Sequence, residues 1–390
     1  MTRQRVGIVG LGQIGGGLAD LLVDRGVPLT LFARRPESGA AFRAGVRRRL
    51  ERRRDHGQLA ASTVADLLGQ VRVTQDFSDF RDVDIAVEAV TEDLAAKRRV
   101  LSELSRACPE RAILTSTTSE LSLEVLGDGL PAAARFVGTH FLSPVRLTTV
   151  VEIIPAPQTA PSVVAEIAAW CRTLGKRPFV FRRSVVNRLL ASYIAEGLSV
   201  CAADGAAPAA VDAQMTDAGM SLGPLSTLDL VGIDVALDVF TGQGSSLVAD
   251  DGGVRRILST LRAEGHLGRK SKSGIFLYGD RGRGANPRLL ALLAESDVAP
   301  RPDPGGDVPE RIWLRLIDEY LCCLTQGLGE RDEIDAILRE VVGTDEGPLQ
   351  KIRELDPTVL EPRLAALEAS LGSRYQPTRS LLERVRRDDG

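Results

Sequence analysis

Residues 5–18 read Arg5-Val6-Gly7-Ile8-Val9-Gly10-Leu11-Gly12-Gln13-Ile14-Gly15-Gly16-Gly17-Leu18. Arg5–Val9 is a short β-rich run, Gly10–Gly17 a glycine turn, and Leu18–Asp24 carries helical periodicity. Leu29–Phe32 then reads as a second strand. Strand, turn, helix and strand in this order give Gly10-x-Gly12-x-x-Gly15 the context in which such glycines bind a dinucleotide. Gly10 permits the tight turn, Gly12 lets a pyrophosphate approach the backbone, and Gly15 lets helix and strand pack closely. The phosphate rests on the positive end of the helix. Gln13 and Ile14 belong to the same cofactor turn. With 38 glycines in the chain, the pattern alone would be weak. A purely structural turn is the competing explanation, and the flanking elements weigh against it.

The end of the second strand bears on which dinucleotide. NAD sites usually place an acid there for the ribose diol, but the sequence runs Leu31-Phe32-Ala33-Arg34-Arg35. Ala33 stands where the acid is expected and two guanidinium groups follow. A carboxylate repels a 2′-phosphate, whereas arginine pairs with it in bidentate fashion. NADP(H) is therefore favoured over NAD. The alternative is a solvated turn at Arg34 and Arg35, with NAD held by its remaining contacts.

A polar stretch with helical spacing, Gly39–Leu68, holds Arg43, Arg47, Arg48, Arg49, Arg52, Arg53 and Arg54. Further strands are predicted at Val71–Val73, Ile85–Val87, Ala112–Thr115, Phe136–Thr139 and Val150–Ile154, with helices between. That alternation predicts an α/β fold: a Rossmann-type doubly wound parallel sheet over residues 1–182. Apolar positions at helical spacing in Val186–Ala203, Ala209–Ala218 and Asp229–Val239 predict a mainly α-helical domain over 183–280. Residues 281–308, rich in Gly, Pro, Arg and Asp, read as a linker around one short helix, Arg288–Glu295. The remainder, 309–390, reads as a second, degenerate helical repeat. Asp212 followed by Gly223-Pro224-Leu225 returns as Asp335 followed by Gly347-Pro348-Leu349, each behind an apolar helix pattern.

At 390 residues the chain is long enough for two or three domains, and its net charge of −3 recruits neither nucleic acid nor an acidic membrane. The five cysteines have no metal-ligand spacing and read as buried thiols of a reducing compartment, so no metal is expected. Neither a signal peptide nor a membrane span is expected, which makes a cytoplasmic location the default.

Three histidines exist, His56, His140 and His266. His56 falls in the arginine-rich stretch and His266 in a loop-like one. His140 follows a predicted strand in Gly138-Thr139-His140-Phe141-Leu142-Ser143-Pro144. Oxidising an alcohol needs a base near neutrality, and an imidazole does this best when a carboxylate fixes its tautomer. Glu152, alone in the apolar run Val150-Val151-Glu152-Ile153-Ile154, requires a partner if buried. Ser119 and Asn187 are polar candidates to complete the site.

Several runs, in order, make the chain resemble the L-3-hydroxyacyl-CoA dehydrogenase family over about residues 5–280. They are Glu88-Ala89-Val90-Thr91-Glu92-Asp93 with Lys97, Ser116-Thr117-Thr118-Ser119, Gly138–Pro144, Val151–Ile154, Gly175-Lys176, Asn187-Arg188-Leu189-Leu190, Gly223-Pro224 and Gly268-Arg269-Lys270 with Gly274–Tyr278. The tail is similar to the extra helical repeat of multifunctional fatty-acid oxidation proteins. The resemblance implies hydride transfer at carbon 3 of a 3-hydroxyacyl thioester. It makes His140 the acid/base, Glu152 its orienting carboxylate, Ser119 a hydrogen-bonding partner of the substrate oxygen and Asn187 a polarising group. It assigns Ala89, Glu92, Lys97 and Ser143 to the cofactor side. It also implies a homodimer, or a pseudo-dimeric monomer in which the tail repeat covers the dimer face.

Departures concern specificity more than chemistry. Ser143 replaces the family's Asn before Pro144, and Arg182-Arg183-Ser184-Val185-Val186 shortens the usual Asp-x-Pro-Gly-Phe approach to Asn187. The substrate is expected to be an acyl-CoA or acyl carrier protein thioester. The arginine-rich stretch is expected either to clamp CoA phosphates or an acidic carrier, or to be a solvated face. Two other functions stay open: a dehydrogenase of a free 3-hydroxy or sugar acid on the same fold, and a catalytically dead nucleotide-binding protein.

Overall fold

The computed structural model describes residues 4–119, 121–241, 252–279, 282–295 and 308–354, together with Pro362 and Ala365. The chain divides into two compact units, Met1–Ser184 and Val185–Gly390.

The first unit is built on eight strands: β1 (Val6–Val9), β2 (Leu29–Phe32), β3 (Val71–Thr74), β4 (Ile85–Glu88), β5 (Ile113–Ser116), β6 (Phe136–Phe141), β7 (Val150–Pro155) and β8 (Arg177–Val180). They lie in the order β3-β2-β1-β4-β5-β6-β7-β8. β1 to β6 run parallel and β7 turns back against β6, with β8 parallel to β7. The central strands are mostly apolar, without alternation, and buried throughout, as helices on both faces require. Those helices are α1 (Gln13–Asp24), α2 (Pro36–Asp55), α3 (Ala61–Gly69), α4 (Leu94–Ala107), α5 (Leu123–Gly127) and α6 (Pro161–Thr173). One core gathers Ile8, Leu18, Leu22, Leu31, Ile153 and Trp170; the other gathers Val9, Phe80, Leu101, Leu104, Leu114 and Phe136.

The expected sheet is present, with local corrections. The stretch expected as one helix over Gly39–Leu68 is two, α2 and α3, because Gly57 at φ +72° takes the left-handed turn that ends the first. Strand β6 runs two residues past the expected Thr139, so His140 lies within a strand rather than after it. Strand β8 has exposed Arg177 and Val180 at a sheet edge, which kept it below the apolar signal of a central strand.

The second unit contains α7 (Val186–Asp204), α8 (Pro208–Asp217), α9 (Pro224–Val231), α10 (Ile233–Thr241) and α11 (Gly252–Ala263). A hairpin of β9 (Phe276–Gly279) and β10 (Gly282–Ala285) follows, then α12 (Pro287–Ala294), α13 (Val308–Thr325), α14 (Arg331–Val342) and α15 (Pro348–Glu354). The expected helix Asp229–Val239 is split at Gly232, whose φ of +105° breaks it into α9 and α10. Strand β10 falls where only linker was expected, since its sequence Gly-Arg-Gly-Ala carries no apolar signal. Asp229 is buried and accepts hydrogen bonds from the Ile275 and Phe276 amides at 2.7 and 2.9 Å and from the Tyr278 hydroxyl at 2.9 Å. A Cβ on Gly274 would fall 2.0 Å from that carboxylate, which explains the glycine.

The repeated Asp and Gly-Pro-Leu elements have one structural cause. Asp212 accepts the Leu225 and Ser226 amides at 2.9 and 3.0 Å, capping α9, and Asp335 accepts the Leu349 amide at 2.9 Å, capping α15. Gly223 and Gly347 leave room for these carboxylates; a Cβ would sit 2.3 and 2.1 Å from them. Burial pushes the Asp212 carboxyl above its ordinary range, against the donors that pull it down.

Helices α7 and α13 pack together through crossed ion pairs. Arg188 Nε donates to Glu319 Oε1 at 2.5 Å, and Arg311 Nε donates to Glu196 Oε1 at 2.6 Å. The same sequence interval separates Arg188 from Arg311, Glu196 from Glu319 and Asp212 from Asp335. Each copy's arginine therefore meets the other copy's glutamate, the reciprocity of a two-fold interface. No helix among the described residues is long and apolar enough to cross a membrane.

Candidate active site

In a doubly wound sheet the ligand crevice lies beyond the carboxyl ends of the strands, where their order reverses. Here that point lies between β1 and β4. The segments leaving β1, β4, β5 and β6 begin at Gly10, Ala89, Thr117 and Leu142, so four of the sequence's candidate runs issue from one edge.

Gly10 has φ +107°, and a Cβ there would meet the Ala89 carbonyl oxygen at 2.3 Å. A Cβ on Gly15 would meet the Gly10 carbonyl oxygen at 2.2 Å. These two glycines let turn, helix and strand touch. Gly12 differs: a Cβ there would meet nothing within 4 Å. It caps α1, whose first turn has no acidic side chain and no side-chain cap. The first amides of α1 thus sit beside open space at the positive end of a helix dipole, a cradle that fits a pyrophosphate. Gln13 Nε2 donates to Ser143 Oγ at 2.7 Å, tying this turn to the loop after β6. The shorter Ser143 therefore keeps a direct partner. Behind that loop, buried Lys176 donates to the Val145 and Thr148 carbonyls, and burial lowers its ammonium below the ordinary lysine range.

Past β2, Ala33 is buried while Arg34 and Arg35 are exposed. Neither guanidinium has a carboxylate partner among the described residues. Several arginines of α2 are engaged: Arg49 pairs with Asp20 and Asp24, Arg53 with Asp24 and Arg54 with Asp55. Arg43, Arg47, Arg48 and Arg52 are exposed. His56 is exposed at the end of α2, and His266 bonds Ser273 in the second unit.

Beyond β4 an ionic network runs inward from the crevice. Glu88 is fully buried and receives Lys97 Nζ at 3.0 Å, Ser116 Oγ at 2.5 Å and the Val90 amide at 2.8 Å. Lys97, 1% exposed, also lies 3.2 Å from Glu92 Oε2. Glu92 accepts the Thr118 hydroxyl at 2.5 Å and the Ser119 amide at 3.0 Å. Lys97 is thus buried between Glu88 and Glu92, and Glu92 fixes the backbone of the Ser119 loop. Glu88 anchors this network from the last position of β4, one residue past the expected end of that strand.

His140 and Glu152 are direct cross-strand partners in the antiparallel β6–β7 ladder, so their side chains share a face. His140 Nδ1 lies 2.6 Å from Glu152 Oε2; the carboxylate is fully buried and the imidazole 7% exposed. A buried carboxylate at that distance accepts a hydrogen bond from Nδ1–H and fixes that tautomer, leaving Nε2 as the nitrogen able to give or take a proton. The hydroxyl of Ser184 donates to the same Oε2 at 2.8 Å and lies 3.4 Å from His140 Nδ1. Ser184 is absent from the sequence-derived site; its only signal was a small hydroxyl in the altered run before Asn187. Asn187 itself lies on the first turn of α7, in the second unit.

Comparison with known proteins accords with this geometry. The model of the 3-hydroxyacyl-CoA dehydrogenase NAD binding domain matches residues 5–184, and that of the family's C-terminal domain matches 185–278. Fatty acid oxidation complex subunit alpha of Pseudomonas savastanoi pv. phaseolicola is 29% identical over 395 residues, covering 97% of this chain and 54% of that protein. The chain thus spans about half the length of the curated relatives it matches. The crystal structure of 3-hydroxybutyryl-CoA dehydrogenase from Escherichia coli superposes with a TM-score of 0.82 over 99% of this chain and 98% of that one, at 22% identity. FadB2 of M. tuberculosis, at 30% identity and TM-score 0.65, is covered in full by 72% of this chain. Two family domains matched in sequence, and a 30% identical relative covered end to end, lead to one conclusion: the chain belongs to the 3-hydroxyacyl-CoA dehydrogenase family.

Proposed function

We propose that this protein interconverts a 3-hydroxyacyl thioester and the 3-ketoacyl thioester, with His140 as the acid/base. The observation that carries this is the buried His140–Glu152 pair at 2.6 Å on one face of β6 and β7. A bound nicotinamide dinucleotide supplies or accepts the hydride at carbon 3. The chain's own residues manage the proton. Glu152 holds Nδ1–H, so Nε2 is presented to the substrate oxygen, taking its proton in oxidation and returning it in reduction. The negative charge of Glu152 stabilises the imidazolium while it exists. Ser119, its loop held by Glu92, donates to the same oxygen. Asn187 polarises the thioester end, as the family resemblance implies.

NADP(H) is the proposed partner. Ala33 leaves no carboxylate to repel a 2′-phosphate, and Arg34 and Arg35 are exposed beside it. The acyl group is carried as a CoA or acyl carrier protein thioester, and the crossed Arg–Glu pairs of α7 and α13 support a pseudo-dimeric monomer.

The direct test is reduction of acetoacetyl-CoA by NADPH and by NADH. His140→Ala should lower kcat by roughly 10²–10⁴ while dinucleotide affinity, followed by fluorescence, stays within about twofold. Wild-type turnover in that variant would reject the assignment.

A further inference from the structure

We propose that Ser184 is a positioning residue for the catalytic pair, setting through Glu152 the proton affinity and orientation of His140. Its role in catalysis rests on the reading of His140 as the acid/base, but its effect on the imidazole does not.

Glu152 Oε2 is a shared acceptor. The imidazole Nδ1 lies 2.6 Å away and the Ser184 hydroxyl 2.8 Å away, converging on one oxygen of a fully buried carboxylate. Two donors on one oxygen do more than one. A single donor leaves the carboxylate free to rotate about its terminal torsion, which is broad and roughly two-fold. Two donors arriving from different strands and loops fix that torsion, and the imidazole plane with it. The Ser184 hydroxyl also lies 3.4 Å from Nδ1, so the three groups form a closed triangle rather than a chain.

The electrostatic consequence has a definite sign. A hydroxyl donated to a carboxylate disperses its negative charge and favours its ionised form. A carboxylate so dispersed attracts the imidazolium proton less strongly. Ser184 therefore holds the His140 proton affinity below the value that Glu152 alone would set. Its removal concentrates the charge on the contact with Nδ1 and raises that affinity.

Ser184 is the last residue of the first unit, and Arg182, Arg183 and Ser184 form the altered approach to Asn187. A run that departs from the family's usual Asp-x-Pro-Gly-Phe thus brings a hydroxyl onto the catalytic carboxylate.

The test compares Ser184→Ala, Ser184→Thr and wild type as the full chain. The three histidines are titrated by NMR, with His140 assigned by its loss in His140→Ala. Ser184→Ala should raise the His140 pKa by about one unit, the scale of one hydrogen bond to a charged group. Ser184→Thr, which keeps the hydroxyl, should return most of the shift. In turnover, Ser184→Ala should lower kcat about tenfold with KM for the dinucleotide unchanged within about twofold. In the reductive assay, where the imidazolium gives the proton, the alkaline limb of its pH profile should move up by the same amount as the NMR value. An unmoved His140 titration in Ser184→Ala, or a Ser184→Thr variant identical to Ser184→Ala, overturns the role of Ser184. Full turnover in His140→Ala overturns the acid/base assignment instead, and leaves the NMR result standing by itself.

Discussion

At the scale of single residues, the chemistry of this site depends on burying charge with its partner in place. Glu152 and Glu88 are both fully buried acids in apolar strands, each met by a cationic or proton-donating side chain from a different element. Without those partners each would carry a large desolvation penalty. Glu152 was readable from sequence because an acid inside Val-Val-Glu-Ile-Ile calls for a partner; Glu88 ends its strand and gave no such signal. Arginines at the end of β2 act in the opposite regime, exposed to water. Replacing Arg34 and Arg35 together by Ala should weaken NADPH binding at least about tenfold relative to NADH, as loss of a bidentate phosphate contact implies. Unchanged discrimination in paired titrations would assign those arginines to solvent.

At the scale of elements, the glycine turn separates two roles that a motif pattern merges. Gly10→Ala places a Cβ 2.3 Å from a backbone oxygen at a φ of +107°, so the fold itself must give way. We expect a loss of about 3 kcal/mol or more, read as a lower melting temperature. Gly12→Ala meets nothing within 4 Å. Its stability should stay within about 0.5 kcal/mol of wild type, while dinucleotide affinity falls at least about tenfold, because the new methyl lies where the pyrophosphate approaches. A Gly12→Ala variant that binds normally would remove the pyrophosphate from that turn. The cap aspartates repeat the lesson in the helical unit: Asp212 and Asp335 were legible as a spaced pattern, but the reason for the glycines beside them, carboxylates within van der Waals reach, is visible only in three dimensions.

At the scale of the molecule, the second unit carries both halves of a reciprocal interface within one chain. Arg188 meets Glu319 and Arg311 meets Glu196, and burial pushes the Glu319 carboxyl up while the guanidiniums of Arg188 and Arg315 pull it down. Glu319→Ala leaves the largely buried Arg188 guanidinium without its carboxylate, held by the Gln326 side-chain oxygen. The expected loss is about 3–5 kcal/mol, or about 10 °C in melting temperature. A chain that satisfies this face internally should run at the 41.8 kDa of one copy in light scattering. A stable mass of twice that value would place the dimer face elsewhere or return it to a second chain.

The sequence by itself determined the alternating strands and helices from β1 to β7, the glycine turn, the helical second unit with its repeated aspartates, and the family, since these depend on local periodicity and on motifs read along the chain. Tertiary structure alone decided that His140 lies inside a strand in register with Glu152, that Lys97 is buried between Glu88 and Glu92, and that Ser184 closes on the Glu152 carboxylate. Those facts are contacts between residues distant along the chain. They are set by strand register and by the need of buried charge for donors, and neither leaves a periodic trace in the sequence.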